Sequence, residues 1–151
     1  MAIEKTLILI KPDGISRKLS GLAIDRLDNA GFEMIGAKVV AVTNDLAHKH
    51  YSELKDEPFF ESLMKFIQGE FHATYKKKVL ALVYQGENVI KEVRKTVGAT
   101  NPEEADPTTI RGSFGRVSTK GYYENVVHAS GNAKDAEKEI ALWFKTEELL
   151  D

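Results

Sequence analysis

Apolar residues along the chain fall into short continuous runs and into stripes at helical spacing. Residues 5–10 (KTLILI) form a compact apolar run closed by Pro12-Asp13-Gly14, the pattern of a buried strand that ends in a turn. Leu19, Leu22, Ala23, Leu27 and Ala30 then recur at helical intervals, with Gly31 placed to stop the helix. The β-branched and apolar residues of 32–42 predict a second strand. Leu46, Ala47, His50, Tyr51 and Leu54 mark one face of a further helix. Asp56-Glu57-Pro58 restarts a helix carrying Phe59, Phe60, Leu63, Met64 and Ile67, with the proline near its first turn. Residues 79–84 (VLALVY) predict a third strand, and Val89, Ile90, Val93 and Val97 the stripe of a helix that Gly98 can end. Residues 98–123 show little periodicity and much Gly, Pro, Thr and Ser; loops of that length in a compact domain tend to be functional. Residues 125–129 make a short last strand, and Ala133, Ala136, Ile140 and Phe144 the last helix.

Strands separated by helices favour a single sheet with helices packed on it. The order fits an α+β sandwich on the ferredoxin-like βαββαβ plan, with an antiparallel sheet. A length of 151 residues suits one domain spanning 1–151, and 42% apolar with 29% charged residues is a globular composition. No apolar run approaches the ~18 residues of a membrane span. The segment Met1-Ala2-Ile3-Glu4-Lys5 lacks the apolar stretch of a signal peptide, so the expected location is cytoplasmic, with no membrane partner. The absence of cysteine removes disulfides, zinc-thiolate sites and thiol catalysis. A net charge of −2 gives no global field to gather nucleic acid, so an anion must be bound by a local set of basic groups.

No G-x-x-x-x-G-K-[ST], G-x-G-x-x-G, H-R-D or D-F-G motif occurs, so phosphate handling would need separated cations and loop amides. Lys11 follows the first strand, Arg94 lies on the helix before the long loop, and Arg111 lies within that loop. A lone Lys or Arg is by default a solvated surface residue, although a strand-to-turn junction is a frequent place for site residues. Of four histidines, His48 and His50 are two apart on a predicted helix and do not share a face, which argues against a metal pair; no metal ligands are expected. His72 falls in the polar segment 69–78, which reads as a solvated loop. His128 ends the apolar pair Val126-Val127 and precedes Ala129-Ser130-Gly131 and a helix. Histidine is a competent nucleophile, but a lone histidine at a strand end more often has a structural role. Asn125, Ser130 and the carboxylate of Glu139, three residues beyond Ala136, shift that balance. Phe59, Phe60 and Leu63 at helical spacing ordinarily mean core packing, as does Tyr51.

Several separated segments together resemble the nucleoside diphosphate kinase family. They are Ile8-Leu9-Ile10-Lys11-Pro12-Asp13-Gly14, His50-Tyr51 with Pro58-Phe59-Phe60, Gly98-Ala99-Thr100-Asn101-Pro102, and Thr109-Ile110-Arg111-Gly112 with Phe114. Asn125-Val126-Val127-His128-Ala129-Ser130 and Ala136-Glu137-Lys138-Glu139-Ile140 with Trp143-Phe144 complete the set, which spans about residues 5–150. The resemblance implies that His128 takes a phosphoryl group from a nucleoside triphosphate such as ATP and gives it to a diphosphate, in ping-pong fashion and with broad base specificity. It implies that Lys11, Tyr51, Arg94, Thr100 and Arg111 surround the phosphates, that Lys11 and Asn125 contact the sugar hydroxyls, and that Phe59 stacks on the base. Glu139 and Ser130 would orient the histidine ring. Magnesium (Mg2+) would be held by the nucleotide phosphates, with few or no direct protein ligands. The partners implied are nucleoside di- and triphosphates, with no requirement for nucleic acid, and the assembly a homotetramer or homohexamer.

The chain departs from the family's common pattern in places. The usual histidine-Gly-Ser-Asp becomes His128-Ala129-Ser130-Gly131, which leaves Asn132 to cap the last helix. Extra residues lie around 69–78 and around 116–124, with Val117 a candidate for the far face of the base. The chain stops at Asp151, without the longer C-terminal tail of many relatives. Two other readings compete: an RNA-binding module on the same fold, against which the strands KTLILI and VLALVY show no paired exposed aromatics, and a kinase-like scaffold without activity, against which the joint presence of Lys11, Arg94, Arg111, Asn125 and His128 argues.

Overall fold

A computed structural model of the protein describes residues 2–72 and 77–151. Its strands are β1 (Ile3–Ile10), β2 (Glu33–Ala41), β3 (Lys78–Glu87), β4 (Arg116–Val117), β5 (Tyr123–Glu124) and β6 (Val127–Ala129). The helices are α1 (Pro12–Ser16), α2 (Ser20–Asn29), α3 (Asn44–His50), α4 (Phe60–Ile67), α5 (Val89–Val97), α6 (Ile110–Phe114) and α7 (Ala133–Trp143). Four strands form one antiparallel sheet in the order β2-β3-β1-β6, and β4 and β5 pair as a separate hairpin. This is the expected α+β, ferredoxin-like arrangement.

β1 is buried on both faces, which explains its unbroken apolar run. Leu7, Ile8, Leu9 and Ile10 are all 0% exposed, and each such side chain is worth about 1.5–3 kcal/mol of burial. Leu7 and Leu9 point into a cluster with Ala81, Val83, Met64 and Trp143. Ile8 and Ile10 point into the opposite cluster with Leu82, Tyr84, Leu27 and Val93. With both faces covered, β1 offers no aromatic platform of the kind an RNA-binding sheet uses.

The helix ends follow local chemistry. Thr43 caps α3 by accepting from Leu46 N–H, Thr109 caps α6 through Gly112 N–H, and Asn132 caps α7 through Asp135 N–H, as expected. Gly98 ends α5 at φ +95°, where a β-carbon would also stand 2.3 Å from Thr109 Oγ1.

Some boundaries differ from the sequence reading. Pro12-Asp13-Gly14 is the start of the short helix α1 rather than a simple turn, with Pro12 at its first position. Pro58 lies two residues before α4 and not within its first turn; Phe59 is the cap. The helical face through Leu54 breaks after His50, and Ser52–Leu54 is a single 3-10 turn. The loop expected over 98–123 contains α6, β4 and the start of β5. The last strand begins at Val127 rather than residue 125, because Val126 takes φ +73° and Val127 N–H bonds back to Asn125 O at 2.8 Å. Such a tight three-residue turn cannot continue a ladder. Of the polar segment 69–78, residues 73–76 lie outside the described residues.

Candidate active site

The strand end at β6 is built around the Val126 turn. A β-branched residue at positive φ is a genuine backbone outlier, and it persists only where its surroundings over-determine it. Here Lys11 N–H bonds Val126 O at 2.8 Å, and the Asp13 carboxylate, 0% exposed on α1, accepts Val126 N–H at 2.8 Å. The turn aims Asn125 to one side and Val127-His128 back into the sheet, with His128 opposite Leu9.

The His128 imidazole is fixed from behind. Its Nε2 lies 2.8 Å from Glu139 Oε1 on α7, and Ser130 Oγ donates to the same oxygen at 2.9 Å while accepting Leu7 N–H at 3.1 Å. A carboxylate opposite Nε2 places the proton on that nitrogen and leaves the lone pair on Nδ1. Burial alone would push the Glu139 carboxyl up, but the hydrogen bond and charge of His128 hold it below its ordinary range.

A second histidine packs on the first. The His50 ring meets His128 edge-on at 4.6 Å and 76°, and His50 Nδ1 accepts the Trp143 indole N–H at 3.0 Å. Burial, and then the neighbouring His128, push His50 down to about 3, so it is neutral at ordinary pH. Potential ligand atoms of His50, His128 and Glu139 lie within 4.8 Å of one another. The carboxylate oxygen facing His128 already takes two hydrogen bonds and His50 Nδ1 takes one, so the cluster works as a hydrogen-bonded support.

In front of His128 opens a cavity of about 620 Å³. Lys11, Tyr51, Phe59, Arg94, Thr100, Arg111 and Asn125 all line it with His128, which brings together eight of the ten residues singled out from the sequence. The other two, Ser130 and Glu139, stand behind the imidazole. Lys11 Nζ donates to Asn125 Oδ1 at 2.6 Å and sits 4.8 Å over the Phe66 ring; Asn125 in turn donates to Thr100 O at 2.8 Å. Burial lowers the Lys11 ammonium to about 8. Arg111 is anchored to Gly98 O at 3.0 Å and Val127 O at 2.9 Å, and burial, with Arg94 nearby, lowers it to about 10. Burial, with the Glu139 carboxylate, pushes the Tyr51 phenol well above its ordinary value, so it is a neutral hydroxyl. Partly desolvated cations at fixed positions act on an anion far more strongly than solvated ones.

Several residues escaped the sequence reading. Asp13 sits in a turn-like triplet that gives no hint of a buried carboxylate. His50 had a usable signal, since it lies on the apolar face of its helix. His72 is not a solvated loop residue: its side chain is 10% exposed and its Nε2 lies 2.7 Å from Glu124, which also pairs with Arg116. Val117 does not line the cavity; Gly121, Tyr122 and Tyr123 of the same hairpin do.

A sandwich fold that opens a cationic, aromatic-floored cavity onto a carboxylate-supported imidazole defines the class of nucleotide phosphotransferases. The family profile described as nucleoside diphosphate kinase matches residues 4–149. The nucleoside diphosphate kinase of Macrococcus caseolyticus is 45% identical over 148 residues, which cover 98% of this chain and 93% of that protein. A structure of the Borrelia burgdorferi enzyme, a transition-state mimic with bound vanadate and ADP, superposes with a TM-score of 0.88 at 39% identity, covering 99% of this chain and 91% of that one. The Halobacterium salinarum enzyme in complex with CDP gives 0.87 at 37% identity, covering 99% and 93%. The chain belongs to the nucleoside diphosphate kinase family, and it is an enzyme of phosphoryl transfer between nucleotides by the family's ping-pong, phosphohistidine mechanism. Among the described residues no helix is long and apolar enough to cross a membrane.

Proposed function

We propose that Nδ1 of His128 is the phosphoryl carrier, within one domain acting over residues 1–151. The observation that carries this reading is the Nε2–Glu139 contact at 2.8 Å, which commits one ring nitrogen as donor and frees the other as nucleophile. The Nδ1 lone pair attacks the γ-phosphorus of a nucleoside triphosphate such as ATP, the bond to the bridging oxygen breaks, and the diphosphate leaves with that electron pair. The ring becomes cationic as the P–N bond forms, and the Glu139 carboxylate beside Nε2 offsets that charge. In the second half, a terminal oxygen of another diphosphate attacks the phosphorus and the P–N electrons return to Nδ1. No proton need move at the attacking nitrogen.

Lys11, Arg94 and Arg111 neutralise phosphate oxygens; Arg111 is positioned by two backbone carbonyls and offers its rigid fork. Tyr51 and Thr100 add hydroxyl groups, and the Lys11–Asn125 pair meets the sugar hydroxyls. Phe59, 49% exposed at the cavity mouth, stacks on the base, which gives broad base specificity because every base has a π-face. Among the described residues that line the cavity there is no carboxylate, which suits magnesium carried in on the nucleotide phosphates rather than held by protein ligands. Bound there, it would neutralise phosphate oxygens.

The assembly we propose is a homotetramer or homohexamer in the cytoplasm. β2 stands at the edge of the sheet with Val39 64% exposed, a surface suited to a second copy. Light scattering at micromolar concentration checks this, a monomer mass being the contrary result. For the chemistry, incubation with γ-labelled ATP should leave an acid-labile label on the protein. An unlabelled, folded protein would end the reading of His128 as carrier.

A further inference from the structure

Residues 11–14, at the end of β1, clasp the turn from which His128 is aimed. Lys11 N–H bonds Val126 O at 2.8 Å, and the Asp13 carboxylate accepts Val126 N–H at 2.8 Å through Oδ2. Gly14 lies so close that a β-carbon there would stand 3.0 Å from both Val126 O and Val126 Cγ1. Asp13 is the unusual member of this clasp. It is 0% exposed, and its other oxygen, Oδ1, is buried with no hydrogen-bond donor among the described residues. Burying a carboxylate is costly unless hydrogen bonds and opposite charge compensate it. Here Val126 N–H supplies the hydrogen bond, and the buried cations Lys11 and Arg111 supply the charge. Lys11 Nζ donates to Asn125 Oδ1 at 2.6 Å, so Asp13 acts on it through space. Burial is the largest influence on Lys11 and brings it down to about 8; Asp13 raises it against burial, and Arg111 lowers it. Burial and then Arg94 lower Arg111, while Tyr51 and Asp13 raise it. Among the described residues His50 also lies within electrostatic reach of Lys11, and it is neutral at ordinary pH.

We infer that Asp13 is a positioning residue for phosphoryl transfer: one carboxylate oxygen holds the Val126 turn that aims Asn125 and His128, and the charge of the same group balances the buried cations Lys11 and Arg111. The inference rests on the cavity being the nucleotide site and His128 the carrier. Among the described residues, those that line the cavity do not include Asp13, so it acts through its neighbours and not on the nucleotide. Its two roles are separable, because an amide oxygen can still accept Val126 N–H but carries no charge.

Asp13→Asn isolates the charge. Lysine ε-carbon NMR on nucleotide-free enzyme, with Lys11 identified as the signal missing from Lys11→Arg, should show Lys11 titrating at about 8 in the wild type. In Asp13→Asn the same signal should titrate about one pH unit lower, the low end of what losing a neighbouring opposite charge does. The alkaline limb of kcat/KM for ADP, which reports the free enzyme, should move the same way. Asp13→Ala removes the hydrogen bond as well. Its rate of label uptake from γ-labelled ATP should fall by about 100-fold, the cost of misplacing a reacting group by about 1 Å, while Asp13→Asn at about pH 6 stays within a few-fold of wild type. A Lys11 titration or alkaline limb that is unmoved or raised in Asp13→Asn overturns the proposal, as does Asp13→Ala that takes label as fast as wild type. A merely structural aspartate would lower the yield of folded enzyme and leave the lysine titration where it was. Should Asp13→Ala not fold, the titration in Asp13→Asn decides alone. Wild-type protein that takes no label from ATP would instead defeat the underlying reading of the site; the lysine titration does not depend on that label, so the two failures are told apart.

Discussion

The two ends of the cavity obey different physics; in the proposed binding mode the end beside His128 takes the phosphates and the end beside Phe59 takes the base. At the phosphate end Lys11 and Arg111 are 8% and 6% exposed, and each donates to a fixed oxygen of Asn125, Gly98 or Val127. The imidazole is locked by Glu139, and even the peptide of Val126 is held in a strained turn. At the base end Phe59 and Tyr123 are 49% and 44% exposed, and the lining is mostly ring and aliphatic surface. In that binding mode, directional, pre-set groups would face the part of a nucleotide that is the same in every substrate. Non-directional surfaces would face the part that varies. Substitutions at the two ends should therefore fail in different ways, rate at one and affinity at the other.

The largest effect belongs to His128→Gln, which should abolish the acid-labile label while keeping the fold; a histidine-linked phosphate in that variant would relocate the nucleophile. Next comes Glu139→Gln, which leaves the ring present but less well oriented and less able to bear positive charge. Turnover should drop by roughly 10- to 1,000-fold with little change in KM, as loss of a support or acid–base partner does. Unchanged turnover would make Glu139 an ordinary helix residue. At the other end, Phe59→Ala should raise KM for all acceptors by about 5- to 150-fold, the range that corresponds to one lost stack, and leave kcat within a few-fold. A fall in kcat as large as that in Glu139→Gln would erase the contrast between the ends.

The remaining expected effect is on stability rather than on turnover or affinity, and comes from His50. Its proton affinity is lowered on folding, from an ordinary 6.5 to about 3, so between those values the unfolded chain binds the extra proton. Stability is thus full above pH 6.5 and falls progressively as the pH drops toward 3. Urea midpoints at successive pH values measure the slope, and His50→Phe should flatten it. A slope identical in the variant would exclude His50 as its source.

The periodic parts of this architecture were legible in the sequence because burial writes itself in spacing. β1 and β3 read as apolar runs because consecutive residues, Thr6 to Ile10 and Ala81 to Tyr84, are buried, and α5 reads as a stripe ended by Gly98 because Val89, Ile90, Val93 and Val97 share its buried face. The short pieces α1, α6 and the β4–β5 hairpin were not, since five residues or two carry no measurable period and are held by long-range contacts such as Asp13 to Val126. The candidate site was legible mainly through the family resemblance; spacing alone separated His128 from the other histidines only weakly. What neither showed was the backing layer of His50, Trp143 and Asp13, whose partners lie 93 to 113 positions away in the chain.

The pairing of Leu9 with His128 also bears on how the molecule comes into being. The imidazole stands on a strand of three residues, and its neighbour in the sheet is the first strand of the chain. Closing so long a loop is among the slowest kinds of contact in folding. During synthesis the earlier strands and helices can collapse long before the stretch from Asn125 to Glu139 has left the ribosome. With His128 as the proposed carrier, capacity to accept phosphate appears only when β1 and β6 have met. A refolding experiment sampled with labelled ATP should show the label rising with the last kinetic phase, behind the recovery of helix signal, which would make the enzyme's own chemistry a clock for the completion of its fold.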